Sequence, residues 1–65
     1  MTPEKKFKLI KLLLESGAEV RTYYRRRRVA MVEKVDSHVL IRYEDSGVDK
    51  IHMRDLARRR FVAII

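Results

Sequence analysis

The segment that most restricts the fold is Val29–Ile41, in which two short runs of β-branched and aliphatic residues lie on either side of Val35-Asp36-Ser37-His38. Each run has the length and the residue types of a β-strand. The polar residues between the runs predict a connection. Most of the fold therefore depends on this strand–connection–strand unit, with a helix expected before it and a glycine-containing hairpin after it.

A helix start signal lies at the beginning of the chain, where the Thr2 hydroxyl is a candidate N-cap and Pro3 fills the first helical position. We expect a helix over about 3–16, ended by Gly17 as a left-handed C-cap. Its apolar face is wider than the usual stripe of a surface helix. This face packs either on its own domain alone or partly on a neighbouring subunit, and it contains Phe7, Leu9, Ile10, Leu12, Leu13 and Leu14.

The remainder of the chain predicts five short strands. Asp45-Ser46-Gly47 is a hairpin signal, with Gly47 expected where a positive φ is needed. Short antiparallel strands in so small a chain close most easily into a partly open barrel that a helix covers. We therefore predict a single mainly β domain over 1–65, a small SH3-like five-stranded antiparallel barrel with an N-terminal helix. The strands are expected at about 18–25, 27–35, 38–44, 48–56 and 61–65.

The length of 65 residues makes the core marginal, because a chain of this size buries only about 60% of the surface that its unfolded form exposes. The absence of Cys excludes disulfides and thiolate metal sites, and the two His lie in no ligand cluster. We expect no metal and no cofactor, so self-association is the remaining source of stability. Lysines interrupt the first apolar segment, which argues against a signal peptide and a membrane span and favours a cytoplasmic location.

The charge balance points to nucleic acid. There are 16 Lys and Arg against 9 Asp and Glu, a formal net charge of +7. Every Arg lies from Arg21 onward, and seven of them form the runs Arg25–Arg28 and Arg58–Arg60. The planar guanidinium group fits phosphate and stacks on bases. The alternative is a solvated surface that only confers solubility. If they form a binding surface, the two runs would be rims that contact the phosphate backbone of a nucleic-acid strand. The residues of these rims are Arg25, Arg26, Arg27, Arg28, Arg58, Arg59 and Arg60.

Two tyrosines directly precede the first arginine run. Aromatic rings beside Arg suit the bases of a single strand, so Tyr23 and Tyr24 are candidates for base stacking. The alternative is that both are ordinary strand aromatics.

The spacing of Ala30, Val32, Val35-Asp36 and His38, followed by Val39 and Ile41, resembles the first sequence motif of the Sm-like family, and of its bacterial Hfq branch in particular. Met53-Arg54-Asp55 stands where that family has its second motif, and Phe61–Ile65 supplies a hydrophobic last strand. The resemblance covers nearly the whole chain in element order. It implies a homo-oligomeric ring, a hexamer by preference or a heptamer, that binds single-stranded RNA.

The resemblance also implies functional residues. His38 would line the pore and stack on a base. Arg54 would clamp a phosphate or stack opposite His38, unless it forms an ion pair with Asp49 or Asp55. His52, near Arg54, is a further candidate ligand. Asp36 is expected to be structural, with its carboxylate accepting backbone N–H groups in the bend.

No pairing of acids, nucleophile elbow or glycine-rich phosphate loop favours catalysis, so we expect no enzyme. The prediction is an RNA chaperone or post-transcriptional regulator. The main alternative is an SH3-like or Tudor-like module that binds DNA or protein, for example a phage or plasmid regulator. A further alternative is a structural subunit of a larger, hetero-oligomeric nucleoprotein assembly.

Overall fold

The computed structural model describes all 65 residues and shows a small, mainly β protein with an N-terminal helix and five strands. The strands form two antiparallel sheets. One contains β1 and β5, and the other has the order β2-β3-β4. The elements, in chain order, are α1 (Pro3–Glu15), β1 (Glu19–Thr22), β2 (Val29–Val35), β3 (His38–Tyr43), β4 (Val48–His52), a 3₁₀ helix (Met53–Ala57) and β5 (Phe61–Ile64).

Both ends of α1 are capped as the sequence predicts. The Thr2 hydroxyl accepts a hydrogen bond from the backbone N–H of Lys5 at 3.2 Å, and Pro3 fills the first turn. At the other end Gly17 has φ of 89°. The N–H of Gly17 donates to Leu14 and that of Ala18 donates to Leu13, which is the bonding pattern of a Schellman motif.

The β2-β3-β4 sheet is a meander with two tight connections. Val35 pairs with His38, so Asp36 and Ser37 alone connect β2 to β3, and Asp36 has φ of 54°. The register of β2 shifts between Val29 and Met31, where Ala30 forms a bulge.

The second connection corrects the prediction for Gly47. The residue with positive φ in the β3–β4 turn is Ser46, at 73°, and Gly47 does not have one. A Cβ on Gly47 would instead overlap the guanidinium group of Arg27, which crosses the turn to reach Asp45. Gly47 therefore leaves room for the side chain of Arg27.

The two sheets meet at a single bridge between Arg21 and Arg28, with a further backbone hydrogen bond from Thr22 to Arg27. This contact places the strands in the spatial sequence β5-β1-β2-β3-β4. No closed barrel is formed, and the partly open barrel stays a prediction.

All five strands are shorter than expected, and the first and the fourth differ most, by four residues each. The first ends at Thr22, and Tyr23–Arg26 form a turn. The fourth ends at His52, whose Nδ1 accepts a hydrogen bond from the N–H of Arg54 at 3.2 Å and caps the 3₁₀ helix. Because side chains three residues apart lie above one another in a 3₁₀ helix, Met53 and Leu56 both enter the core.

One hydrophobic core joins α1, both sheets and the 3₁₀ helix. Of the wide apolar face of α1, Ile10 alone is fully buried, whereas Leu9 and Leu12 remain 43% and 63% exposed. No helix has the length and the apolar character needed to cross a bilayer. The buried core residues are Ile10, Val20, Val29, Val32, Val39, Ile41, Tyr43, Met53 and Leu56.

Candidate nucleic-acid interface

The connection between β1 and β2 contains the whole first arginine run, with Arg25 and Arg26 in the turn Tyr23–Arg26. Thr22 anchors its base, because its hydroxyl donates to the carbonyl of Tyr24 at 2.6 Å and accepts from the N–H of Arg27 at 3.0 Å. Arg25 and Arg26 lie at the tip with φ of 67° and 52°. Their side chains are exposed.

The second arginine run reaches the same turn. The N–H of Tyr23 donates to the carbonyl of Arg60 at 2.9 Å, just before β5 begins. The guanidinium groups of Arg60 and Arg26 lie 4.3 and 4.7 Å from the centre of the Tyr23 ring, and that of Arg25 lies 5.3 Å from the Tyr24 ring. Two distant stretches of sequence therefore form one arginine–tyrosine cluster, which consists of Tyr23, Tyr24, Arg25, Arg26 and Arg60.

The two tyrosines of the cluster differ. Tyr23 is about half exposed, and its ring contacts two guanidinium groups. Tyr24 is 75% exposed and contacts Arg25. Tyr24 thus offers the more accessible ring for a base, and Tyr23 mainly positions the arginines. Neither tyrosine lies in a strand, so the alternative of two ordinary strand aromatics is wrong.

The arginines of the two runs divide according to their acidic neighbours. Arg27 pairs with Asp45 at 3.1 Å, Arg28 with Glu44 at 3.4 Å, and Arg59 lies 3.5 Å from a carboxylate oxygen of Asp49. Hydrogen bonds from Arg27 and from the N–H of Gly47 lower the pKa of Asp45. Four arginines have no carboxylate oxygen within 4 Å, namely Arg25, Arg26, Arg58 and Arg60.

A cleft of about 230 Å³ adjoins the cluster. Inside it, the Tyr43 hydroxyl donates to Asp49 Oδ2 at 2.6 Å, and the Arg27 guanidinium lies 3.8 Å from the Tyr43 ring centre. Burial and the bond to Asp49 raise the pKa of Tyr43 to about 12, so the phenol is neutral at physiological pH. We call it the Tyr43 cleft, and its lining includes Tyr24, Arg25, Arg27, Tyr43, Asp49 and Arg59.

The other predicted site residues lie at the opposite end of β3. His38 pairs with His52 across β3 and β4, and their rings meet edge to face with centroids 5.3 Å apart. Since β3 spans six residues, His38 and Tyr43 are separated by about 17 Å along the strand. We call His38, His52 and Arg54 the histidine corner. It borders a cleft of about 380 Å³ that also contacts Lys34.

The structure changes the predictions for Arg54 of this corner and for Asp36 in the β2–β3 turn. Arg54 lies exposed in the 3₁₀ helix and pairs with neither Asp49 nor Asp55, because Asp49 faces Arg59 and Tyr43 instead. Asp36 contributes its left-handed backbone to the β2–β3 turn, and its carboxylate accepts no backbone hydrogen bond. Its structural role therefore depends on φ rather than on the side-chain oxygens.

Sequence reasoning missed the Tyr43–Asp49 pair. The hairpin register carries the signal, because Ile41 is opposite Asp49 and Tyr43 is therefore its diagonal neighbour on the adjacent strand. Knowing this register in advance would have required the exact turn between β3 and β4, whose positive φ lies at Ser46.

Comparisons of the chain with protein-family models, with curated proteins and with solved structures found no match. The functional assignment therefore depends on the geometry and charge of the two surfaces described above.

Proposed function

We propose that the protein binds single-stranded RNA through the arginine–tyrosine cluster and acts as an RNA chaperone or post-transcriptional regulator of the Sm-like, Hfq type. The observation that supports the proposal is the convergence on Tyr23 of Arg26 from the first arginine run and Arg60 from the second. The β1–β5 pairing places these like charges side by side, where they repel one another unless they meet an anion.

Phosphate binding is assigned to the arginines that lack an acidic neighbour. These four residues are exposed and keep their full charge for an incoming anion, namely Arg25, Arg26, Arg58 and Arg60. A guanidinium group that neutralises a phosphate releases a condensed cation from the strand, which favours binding at low salt. These contacts position the strand without reading its sequence.

The preference for a single strand comes from Tyr24. An exposed ring beside Arg25 offers a surface on which an unpaired base stacks, with about 1–3 kcal/mol of binding free energy per stacked base. A base inside a duplex has no free face for such a ring.

The proposed assembly is a ring of partly open barrels, a hexamer by preference. The spatial sequence β5-β1-β2-β3-β4 leaves one edge of β4 and one edge of β5 without a partner strand. Val48 and Ile64 on these strands are 50% and 56% exposed. An exposed edge with apolar side chains favours pairing with another chain. In such a ring the histidine corner would supply the pore contacts to RNA.

The test compares two triple variants with equal loss of charge. Fluorescence anisotropy measures the binding of labelled oligo(U), oligo(A) and duplex DNA at two salt concentrations. Replacing Arg25, Arg26 and Arg60 by Gln is expected to weaken oligonucleotide binding at least tenfold more than replacing Lys5, Lys8 and Lys50 by Gln. Equal losses would contradict the proposed surface.

The same measurement separates the RNA proposal from its rival. Tighter binding of the single strands than of the duplex, reduced by Tyr24→Ala, is the expected result. Preference for duplex DNA that Tyr24→Ala leaves unchanged would instead favour an SH3-like or Tudor-like DNA-binding module.

A further inference from the structure

The Tyr43 cleft contains a carboxylate that phosphate binding does not explain. Asp49 lies beside Arg59, on a surface that is otherwise rich in cations. A carboxylate repels a phosphate group, so it weakens a site that is meant only for the backbone of a strand. The same carboxylate is a strong acceptor for the N–H groups of a base.

The geometry leaves part of this acceptor free. Asp49 Oδ2 accepts the bond from the Tyr43 hydroxyl and faces Arg59, whereas Oδ1 has no hydrogen-bond partner in the protein. An ionised carboxylate accepts about four hydrogen bonds. The Asp49 side chain is 35% exposed and lines the cleft. The neutral Tyr43 phenol fixes the orientation of the carboxylate.

We propose that the Tyr43 cleft binds a guanine base of the RNA strand, with Asp49 accepting hydrogen bonds from the N1–H and N2–H groups of guanine. This inference rests on the proposed function, since the arginine–tyrosine cluster holds the strand that delivers the base. Tyr24 stacks on the guanine ring, and the Arg59 guanidinium beside Asp49 donates to guanine O6.

Guanine is favoured because it alone among the four RNA bases presents two adjacent donors on its Watson–Crick edge. The N3–H of uracil lies between two carbonyl oxygens, which a carboxylate repels. The amino groups of adenine and cytosine each lie beside a ring nitrogen that is an acceptor. The exposed Watson–Crick edges of unpaired bases are the surfaces that proteins read in single-stranded RNA.

The test uses labelled 12-nucleotide RNAs that consist of uridine with a few isolated guanosines. Matched RNAs carry inosine, which lacks the N2 amino group, or adenosine at the same positions. In anisotropy titrations the guanosine RNA is expected to bind roughly tenfold more tightly than the adenosine RNA, with inosine between them. Equal affinities for the three RNAs would overturn the guanine assignment and leave the proposed function intact, whereas no binding of any RNA would overturn both.

Asp49→Asn is the matching variant, and Asp45→Asn is its control, because each change removes one negative charge beside an arginine. Asp49→Asn is expected to abolish the preference for guanosine, since an amide donates a proton towards N1–H. Asp45→Asn is expected to retain it, and both variants are expected to bind oligo(U) with equal affinity. Retention of the preference in Asp49→Asn would contradict the assignment. The comparison of guanosine with inosine on the unmodified protein tests it independently of the folding of either variant.

Discussion

Arg25 and Arg26 have a backbone conformation that their side chains disfavour. Consecutive positive φ values are typical of type I′ turns, where Asn-Gly is the preferred pair. A residue with a Cβ in the left-handed region costs roughly 1–2 kcal/mol. The bonds made by Thr22 hold this turn together. Strained residues at a tip that carries two free charges are typical of a functional site.

The double variant Arg25→Asn, Arg26→Gly is therefore expected to separate stability from binding. Because it relieves the backbone strain, the free energy of unfolding should rise by about 1–2 kcal/mol in urea denaturation followed by circular dichroism. RNA affinity should fall, because the two proposed phosphate contacts disappear. Lys5→Gln, Lys50→Gln is the charge-matched control, for which neither effect is expected. A lower free energy of unfolding in the double variant would contradict the claim that the positive φ values of Arg25 and Arg26 destabilise the fold.

Tyr43 gives a second prediction at the scale of single residues. Its pKa is raised to about 12, mainly by burial and then by the bond to Asp49. The fold therefore favours the neutral phenol. The contribution of this preference to the free energy of unfolding is complete below the unfolded pKa of about 10. It disappears as the pH rises through the folded pKa of about 12.

Absorbance at 295 nm measures this ionisation. In the variant Tyr23→Phe, Tyr24→Phe, Tyr43 is the only remaining tyrosine. Its titration midpoint is expected at about 12 when the protein is folded and about 10 in urea. Adding Asp49→Asn should lower the folded midpoint only in part, because the burial remains. Identical midpoints in folded and unfolded protein would show that Tyr43 is solvated.

At the scale of elements, local signals predicted some structures and missed others. Thr2, Pro3 and Gly17 predicted both ends of α1, because capping depends on a few neighbouring residues. The β2–β3 pair was predicted by the length and the residue types of two short β-branched and aliphatic runs. The 3₁₀ helix was read as strand, because Met53 and Leu56 continue an apolar pattern that suits either element. The convergence on Tyr23 depends on the β1–β5 pairing, which no local signal specifies.

Gly17→Ala tests the cap of α1. A Cβ at this position would meet no atom within 4 Å, so the cost of the change is purely conformational. We expect the free energy of unfolding to fall by about 1–2 kcal/mol. Gly17→Asn should cost less, because Asn tolerates the left-handed region better. Equal stability of the alanine variant and the unmodified protein would mean that the helix end rearranges easily.

At the scale of the whole molecule, the apolar surface left exposed is large for so small a chain. Besides Val48 and Ile64, half or more of Leu12 is accessible on α1. A core of nine buried residues in a 65-residue chain is marginal. Association through strand edges would cover part of this surface and add stability.

Analytical ultracentrifugation tests the association. The proposed ring predicts a mass several times the 7.8 kDa of one chain. Ile64→Lys is expected to reduce the mass towards that of the monomer, because it places a charge on the exposed edge of β5. Val35→Lys, at an exposed position on β2, is the control and should leave the mass unchanged. A monomer at micromolar concentration for the unmodified protein would exclude the ring.

The ion pairs of Arg27, Arg28 and Arg59 have a consequence for how binding responds to salt. Their acidic partners, Asp45, Glu44 and Asp49, act as counterions that are covalently attached to the chain. An arginine that keeps its carboxylate neutralises no phosphate and so releases no cation from the RNA. In the proposed RNA complex only the four arginines of the two runs without such a partner would contribute, which predicts a slope of log K against log salt near −3, whereas all seven would give about −5. The proposed complex would therefore present many guanidinium groups to an RNA strand, while its affinity would depend on ionic strength as if there were few.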